Sequence, residues 1–382
     1  MDTAEKTQAQ AELLKNRIAK NSKALRKWAR KNLVTAYRLY DRDIPEIPLS
    51  IDLYEFLPDD IQTPAEAQAF LQEQAAAESA NEPGAAARRL ERTYLKVFLY
   101  ERPYEKPEEE EREWLLAMTN ALAECLQIDK GRITTKTRLH DKGGSQYAQT
   151  DGANKKNSQA QKAGGGQSLA CKQSQPQAQN FCGRVYENGA LFCVDLATYL
   201  DTGLFLDMRA ARALIKANAK QKRVLNLFCY TSSFSIAAAL GGAAFVQSVD
   251  LSNTYLDWSR KNAAQNGLEK AALEWTKADV TAFLETCKNK YDLIILDPPT
   301  FSASKSAKNN LDTNRDWAKL CAACLRLLDK DGELYFSTNS RQFKFDAALL
   351  PGALAQEITE RTIDLDFKTK KSHRMWLLQN AE

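Results

Sequence analysis

The sequence predicts an α/β protein whose C-terminal part, residues 204–382, forms a mostly parallel sheet covered by helices on both faces. A smaller α+β domain over residues 33–203 and a basic helix over residues 1–32 precede it. Two observations lead to this prediction. From residue 222 onward, short apolar strands alternate with helices, which is typical of right-handed strand–helix–strand crossovers. The chain of 382 residues is also long enough to bury more than one core.

The C-terminal alternation predicts five strands, at RVLNLF, AFVQSVD, LEWTKAD, YDLIILD and ELYFSTN. The segments SFSIAAAL, TYLDWSRKNAAQNG, VTAFLETCK and residues 311–328 have the apolar periodicity of the intervening helices. In a doubly wound sheet, ligands bind beyond the carboxyl ends of the strands. We therefore look for the site in the residues that directly follow these strands.

The N-terminal half has the mixed pattern of an α+β domain. YRLYD, IPLSIDLYEF and YLKVFL alternate like half-buried strands, and residues 61–90 suit a helical excursion or a mobile insertion. Pro107 and four glutamates open an amphipathic helix, and RVYENGALFCVDL predicts a hairpin that turns at Asn188-Gly189. Residues 141–180 contain few apolar residues, so we expect a disordered insertion there.

Composition narrows the class of protein. We find no apolar run of about 18 residues and no apolar stretch behind Met1, so we expect a cytoplasmic protein without membrane contact. Of the eight cysteines, the only close pair is Cys321 and Cys324, inside an apolar helical pattern. We interpret them as packing residues and expect no metal site.

Positive charge is concentrated near the N-terminus, although the net charge is only +4. Residues 15–42 contain ten Lys or Arg and one acidic residue, Asp41. This segment is either a solvated amphipathic helix packed through Leu14, Ile18, Leu25 and Trp28, or a surface that neutralises phosphates, and both can hold together. The candidate RNA-binding residues are Lys23, Arg26, Lys27 and Arg30, with Lys305 and Lys308 in the C-terminal half.

Three aspartates follow successive predicted strands: Asp250, Asp279 and Asp297. In a parallel sheet these positions line one crevice. The first turn lacks the G-x-G-x-x-G fingerprint of dinucleotide binders and has Ser232 and Ser233 instead, which argues against a pyrophosphate ligand. Asp250 suits ribose hydroxyls and Asp279 an adenine amino group. The pattern therefore predicts an adenosine ligand without phosphate, and S-adenosylmethionine fits.

The segment Asp297-Pro298-Pro299-Thr300-Phe301 leaves the strand LIIL. Paired prolines fix φ and remove backbone donors, so the chain leaves the sheet in a rigid conformation with its carbonyls free to accept. Because the segment follows the fourth strand of the predicted sheet, we interpret it as part of the functional site and not as a plain Pro-Pro turn.

Several segments together resemble a known family: TYLDTGLFLDMRAAR, NLFCYTSSFSIAAALGGA, VDLSNTYLDWSRKNAAQNG and DLIILDPPTFSASK. They are similar to the guanine-N7 methyltransferase half, RlmK, of the fused 23S rRNA methyltransferases RlmKL. The resemblance implies a class I (Rossmann-like) fold with a seven-stranded, mostly parallel sheet. It also implies S-adenosylmethionine as cofactor, and 23S rRNA or a large-subunit assembly intermediate as partner, hence a role in ribosome biogenesis.

The resemblance has two departures. It does not extend to the family's other half, with its THUMP module, and it leaves room for a separate partner methyltransferase equivalent to that half. The first turn reads CYTSS where the family usually has YTG.

The residues and the resemblance together give the candidate site. We assign catalysis to Asp297, Pro298, Pro299 and Phe301. The candidate cofactor-binding residues are Asp207, Arg209, Asn226, Phe228, Tyr230, Thr231, Ser233, Asp250, Leu251, Ser252, Asp279, Val280 and Asp297.

Three other reactions or roles remain alternatives to guanine-N7 methylation. Cytosine-C5 methylation needs a cysteine beside the base, and we interpret Cys229 as a packing residue. Methylation of an exocyclic amino group uses an aromatic residue after Asp-Pro-Pro, whereas Thr300 stands there and Phe301 comes one residue later. A non-catalytic RNA-binding assembly factor would use the same surfaces. Guanine N7 carries a lone pair and no proton, so its methylation needs positioning and no general base.

Overall fold

The computed structural model describes residues 3–138, 181–302, 310–368 and 372–381. The expected disordered insertion at 141–180 therefore lies outside the described residues. The same holds for Lys305 and Lys308.

The N-terminal half, as described up to residue 138, forms a four-stranded sheet with four α-helices. Its elements are α1 (Thr3–Lys31), β1 (Ala36–Asp41), β2 (Leu49–Glu55), α2 (Pro64–Ser79), α3 (Ala85–Leu90), β3 (Thr93–Tyr100), α4 (Glu108–Leu126) and β4 (Ile133–Arg138). The strand order is β1-β2-β3-β4, and only β3 and β4 are parallel. The predicted helical excursion at 61–90 is confirmed as α2 and α3. A capping box between Thr63 and Glu66 starts α2.

The amphipathic pattern of α1 places it on this sheet. Leu14, Ile18 and Leu25 are buried, and they join a core with Leu49 and Ile51 of β2. Trp28 packs at the margin of this core. Helix α4 packs beside α1, so one face of the sheet is covered by two long helices.

The strand β2 departs from the prediction of a half-buried strand, because all seven of its residues are buried. The second face of the sheet is covered by the hairpin and the segment that follows it, since Tyr54 packs in one cluster with Phe192 and Leu204. The acidic residues on this strand are paired: Asp52 with Arg38 and Glu55 with Arg89.

The predicted hairpin is confirmed as β5 (Cys182–Glu187) and β6 (Ala190–Asp195). Its turn places Asn188 at φ 51° and Gly189 at φ 78°. Two successive left-handed residues are what a type I′ turn requires, and Asn-Gly is the preferred pair for it.

The C-terminal part builds a seven-stranded sheet covered by helices, with a separate pair of short strands, β11 and β12. Its elements are α5 (Arg209–Asn218), β7 (Arg223–Leu227), α6 (Ser233–Leu240), β8 (Phe245–Asp250), α7 (Asn253–Gln265), β9 (Leu273–Lys277), α8 (Val280–Thr286), β10 (Tyr291–Leu296), β11 (Phe301–Ser302), β12 (Leu311–Asp312), α9 (Thr313–Leu327), β13 (Leu328–Thr338), β14 (Ala353–Glu357), α10 (Thr359–Thr362) and β15 (Arg374–Asn380).

The sheet order is β14-β15-β13-β10-β7-β8-β9, which confirms the predicted fold class. Strands β13, β10, β7, β8 and β9 are parallel, and β15 pairs with β13 and β14 in antiparallel fashion. The strand order reverses direction at β7, which is where such sheets bind ligands. The boundaries proposed for the domains, at residues 32/33 and 203/204, stay predictions.

Two sequence predictions concern burial and membranes. Cys321 and Cys324 are fully buried on α9, as expected of packing residues. Among the described residues, no helix combines the length and apolar character that crossing a bilayer requires.

Candidate active site

The three aspartates stand at one edge of the seven-stranded sheet. Asp250 is the last residue of β8, Asp279 follows β9, and Asp297 follows β10. Because these strands are parallel, their carboxyl ends meet at the same edge, on both sides of β7. The first turn, between β7 and α6, lies at this edge too.

That turn has an unusual backbone. Phe228, Tyr230 and Ser232 all have positive φ, at 55°, 51° and 60°. Each conformation costs a residue with a Cβ atom of the order of 1–2 kcal/mol. The serine stands where the resembled family usually has glycine, and its left-handed φ is the physical reason why glycine suits that position.

Hydrogen bonds from neighbouring segments hold the turn. The amide of Gly203 donates to the Tyr230 hydroxyl at 3.0 Å, and the Thr231 hydroxyl donates to the Gly203 carbonyl at 2.6 Å. From α7, the Ser259 hydroxyl donates to Ser232 at 2.7 Å and the Asn262 amide to the Thr231 carbonyl at 3.0 Å. The turn is therefore fixed from two sides before any ligand binds.

Asp250 is bound to this turn. Its Oδ2 accepts from the Tyr230 amide at 3.0 Å and its Oδ1 from the Ser252 amide at 2.9 Å. Burial raises the pKa of Asp250, and these backbone donors oppose the rise. Each carboxylate oxygen has a second lone pair, so Asp250 can still accept from ligand hydroxyls.

Asp279 and Ser252 cap the helices that start at the edge. Asp279 accepts from the Ala282 amide at 3.0 Å, and Ser252 accepts from the Tyr255 amide at 3.4 Å. Leu251 and Ser252 are half-buried beside Asp250, while Val280 is buried in the main core. A side-chain contact from Val280 to a ligand is therefore not supported, because the side chain faces the sheet.

The Asp297 segment is anchored to the next strand and helix. The Ser337 hydroxyl of β13 donates to Asp297 Oδ1 at 2.5 Å. Burial raises the pKa of Asp297, with the Ser337 hydrogen bond opposing it. The carbonyl of Pro299 accepts from the Thr313 hydroxyl at 2.7 Å, so this freed carbonyl binds the protein itself. Phe301 remains 40% exposed.

Asp207 joins the same crevice from the segment before α5. Phe205, two residues earlier, packs against Tyr230 of the first turn at 5.3 Å between ring centroids, and Oδ2 of Asp207 lies 3.5 Å from Nδ1 of His373. Burial would raise the pKa of Asp207, but the imidazole of His373 lowers it to about 2. Asp207 is therefore ionised at neutral pH.

The structure gives no support to the cofactor-binding role expected of Arg209. This side chain is 1% exposed and donates to Asp366 at 3.0 Å, to Asp364 at 3.2 Å and to the Ala36 carbonyl at 2.7 Å. Its two terminal nitrogens are used inside the protein, whereas its buried Nε has no hydrogen-bond partner among the described residues. Its side chain connects Ala36 of the N-terminal sheet with Asp364 and Asp366 of the C-terminal part.

Two other candidates are also internal. Asn226 is buried and its amide donates to Ser235 at 2.8 Å, between β7 and α6. Thr231 is buried as well, and its hydroxyl is committed to Gly203. Both side chains shape the turn, and their contact with a ligand is not supported. By contrast, Phe228 and Ser233 are half-buried in the turn and its first helical residue.

Cys229 has the environment expected of a packing residue. It is buried in the turn, and burial raises the pKa of its thiol well above the usual value. A thiolate nucleophile needs the opposite environment, with a lowered pKa and access to the substrate.

The basic residues of α1 form an open groove with α4. The cavity measures about 490 Å³ and is lined by Lys23, Arg26, Lys27 and Arg30, together with Cys125 and Leu126. Arg26 and Arg30 share Glu78, at 3.1 Å and 3.8 Å. Lys23 and Lys27 are exposed, and no acidic partner faces them among the described residues.

Sequence reasoning missed two groups at the site. Arg212 is buried, donates to Glu187 at 2.6 Å and 3.0 Å, and reaches the Phe205 carbonyl at 2.9 Å. His373 is also buried and stands beside Asp207. A signal for His373 existed, because a polar residue just before an antiparallel last strand lies at the edge where the parallel strands end.

Comparisons with known proteins agree with this geometry. A family model described as S-adenosylmethionine-dependent methyltransferase matches residues 169–367. The ribosomal RNA large subunit methyltransferase K of Neisseria meningitidis is 35% identical over 96% of this chain and 86% of its own length. The ribosomal RNA large subunit methyltransferase K/L of Cellvibrio japonicus is 38% identical over 97% of this chain. The chain spans only 43% of that relative.

Solved structures share the fold across nearly the whole chain. A methyltransferase in complex with SAH has a TM-score of 0.61 at 20% identity, over 96% of this chain and 81% of that one. A SAM-dependent methyltransferase from Streptococcus mutans has the same TM-score at 19% identity, with the same coverage of both chains.

Proposed function

Since this chain belongs to the S-adenosylmethionine-dependent methyltransferase family, together with ribosomal RNA large subunit methyltransferase K, we propose that it methylates N7 of a guanine in 23S rRNA. The observation that carries the proposal is that the fixed first turn, Asp250 and Asp297 stand together at the carboxyl edge of the sheet. The partner is the RNA itself or an assembling large subunit. The Neisseria meningitidis relative is named K alone, which gives no support to a separate partner methyltransferase.

The chemistry of the crevice fits S-adenosylmethionine. Asp250 offers free lone pairs to ribose hydroxyls, and Asp279 offers an acceptor to the adenine amino group, with Leu251 and Ser252 alongside. The crevice is rich in carboxylates, which suits a ligand with a sulfonium and an ammonium group. When bound, S-adenosylmethionine supplies a methyl group already activated for transfer. Phe228, Tyr230 and Ser233 line the turn beside it.

The protein's part in the reaction is mainly positioning. Guanine N7 has an in-plane lone pair, so no side chain has to remove a proton. Asp297, held by Ser337, offsets the positive charge that develops on the base. Phe301, exposed beyond Pro298 and Pro299, stacks on the base. The buried Cys229 argues against cytosine-C5 methylation.

In this proposal the groove on α1 binds the RNA backbone, at a distance from the crevice that receives the guanine. Lys23 and Lys27 are free to neutralise phosphates, and Arg26 and Arg30 add to the field while paired with Glu78. The guanine must leave its stack to reach Asp297, as for other enzymes that modify a base.

Transfer of labelled methyl groups to 23S rRNA tests the proposal. The purified chain is incubated with methyl-labelled S-adenosylmethionine and the RNA, and the modified nucleosides are separated. We expect label in 7-methylguanosine, lost in Asp297→Ala but kept in Asp292→Ala, which lies at the other end of β10. Label in N2-methylguanosine or 5-methylcytidine would overturn the N7 assignment. Cofactor and RNA binding without transfer to free RNA or to precursor particles would indicate an assembly factor.

A further inference from the structure

The single described histidine, His373, lies at the edge of the seven-stranded sheet where the parallel strands end. His373 directly precedes β15, which runs antiparallel to β13 with Arg374 opposite Thr338. Because β15 runs in the opposite direction, its first residues lie where the parallel strands end. His373 therefore reaches the carboxyl edge of the sheet from the C-terminal side, while Asp207 reaches it from the segment before α5.

The imidazole ring is held from both sides. Its Nδ1 lies 3.5 Å from Oδ2 of Asp207, and its Nε2 lies 3.0 Å from the Thr362 hydroxyl. With the Nδ1 hydrogen directed at the Asp207 carboxylate, Nε2 is the acceptor of the ring and faces the Thr362 hydroxyl, which also lies 2.9 Å from the Thr359 carbonyl. The ring is thus fixed in its plane, with the Nδ1 edge toward the carboxylate.

Asp207 is more accessible than the histidine beside it. His373 is 2% exposed, whereas the Asp207 side chain is 18% exposed. The ring of Phe205, two residues before Asp207, packs against Tyr230 of the first turn at 5.3 Å between centroids, so the pair lies beside that turn. His373 and the Ser372 hydroxyl both approach this carboxylate, and its remaining accessible surface can meet a ligand.

We propose that His373 is a positioning residue, which fixes the Asp207 carboxylate so that it binds the ammonium of the methionine part of S-adenosylmethionine. This inference rests on the cofactor site of the proposed function. It assigns to His373 no contact with the ligand and no proton transfer. Its effect is confined to the amino-acid end of the cofactor, because Asp250 and Asp279 bind the adenosine end.

Calorimetry with three ligands tests whether His373 affects only the amino-acid end of the cofactor. S-adenosylmethionine and S-adenosylhomocysteine both carry the ammonium, whereas methylthioadenosine lacks the amino-acid part. In His373→Ala we expect the first two to bind about tenfold more weakly, as for removal of a charge-assisted hydrogen bond. Methylthioadenosine should bind as tightly as it does to the wild type.

Two conservative variants separate orientation from packing. The amide nitrogen of His373→Asn can stand where Nδ1 stands, so we expect it to restore most of the affinity for S-adenosylhomocysteine. The longer His373→Gln places its nitrogen near Nε2 and should not restore it. Thr362→Val, nearly isosteric, removes the second anchor of the ring and should weaken both ammonium ligands by about threefold. It can still decide the question if the histidine variants do not fold.

The outcomes that overturn the inference are distinct from failure of the proposed function. If His373→Ala and Thr362→Val weaken all three ligands equally, His373 only supports the fold. If neither variant changes any affinity, Asp207 needs no positioning. If the wild-type chain binds none of the three ligands, the cofactor site itself is wrong, and the proposed function fails with it.

Discussion

The hydroxyl of Tyr54 lies 3.0 Å from the hydroxyl of Thr202, and both side chains are buried. Tyr54 belongs to β2 of the N-terminal sheet, and Thr202 precedes Gly203, which binds Tyr230 and Thr231 of the cofactor turn. A short chain of hydrogen bonds thus connects the N-terminal sheet with the first turn of the C-terminal sheet. Residues 195–203 therefore connect the N-terminal sheet with the turn that contains Tyr230 and Thr231.

We expect Tyr54→Phe to lower the free energy of unfolding by about 0.5–1.5 kcal/mol, because it leaves the buried Thr202 hydroxyl with one partner fewer. Urea unfolding measures the change. Thr202→Val should cost a similar amount, and the double variant should cost less than the sum, since both remove the same bond. Tyr104→Phe, at an exposed tyrosine, is the control. Additive costs would show that the two hydroxyls are not coupled.

Asp250→Ala should weaken S-adenosylmethionine binding at least about tenfold, because it removes acceptors for the ribose and the carboxylate that binds the Tyr230 amide. Calorimetry measures the affinity. Asp257→Ala removes a carboxylate of similar charge from the exposed side of α7, where it pairs with Arg260, and should bind as the wild type does. Unchanged affinity in a folded Asp250→Ala variant would remove Asp250 from the site.

Changing Lys20, Lys23 and Lys27 to Gln should weaken RNA binding. Its salt dependence should flatten by up to about 0.7–0.9 log units for each phosphate that is no longer neutralised. The three lysines are exposed on α1 and are not needed by its buried stripe. Filter binding at several salt concentrations gives the slope, and cofactor affinity should not change.

The matched control for these lysines changes Lys270, Lys288 and Lys330 to Gln. They are equally exposed and alter the net charge by the same amount, but lie near the starts of β9, β10 and β13, away from the crevice. If both triple variants bind RNA more weakly to the same degree, α1 contributes only general charge. If neither does, α1 presents only a solvated face.

We expect Lys96→Met to raise the free energy of unfolding, with the largest gain below pH 7. Burial lowers the pKa of Lys96 from 10.5 to about 7, with Lys136 adding to the effect. Between these two pKa values Lys96 is protonated in the unfolded chain and neutral in the folded protein, so the free energy of unfolding rises with pH. The cost of burying the charged ammonium is therefore largest below pH 7. The Leu196 carbonyl that Lys96 contacts keeps the Thr134 hydroxyl at 3.1 Å.

Urea unfolding at pH 6 and pH 9 tests the pH dependence. The advantage of Lys96→Met should shrink at the higher pH, whereas the exposed Lys130→Met should show no such trend. An advantage that is equal at both pH values would show that Lys96 does not titrate in this window.

Local patterns of the sequence determined most of the fold. The alternation of strands and helices after residue 222, the Asn188-Gly189 turn and the apolar stripe of α1 are all visible within a few residues. They could be predicted because periodicity and turn chemistry depend on near neighbours. The positions of Asp250, Asp279 and Asp297 follow from the same alternation, since parallel strands end at one edge.

Only the tertiary structure decided which polar groups remain available. Arg209 resembles a ligand-binding residue until Asp366, 157 residues later, is placed against it. Asn226 is taken by Ser235, and His373 becomes part of the crevice because β15 returns antiparallel beside β13. A buried charge or amide must find a partner, and that partner can lie anywhere along the chain. The sequence therefore predicts which edge of the sheet a residue occupies, and long-range packing decides which groups its side chain binds.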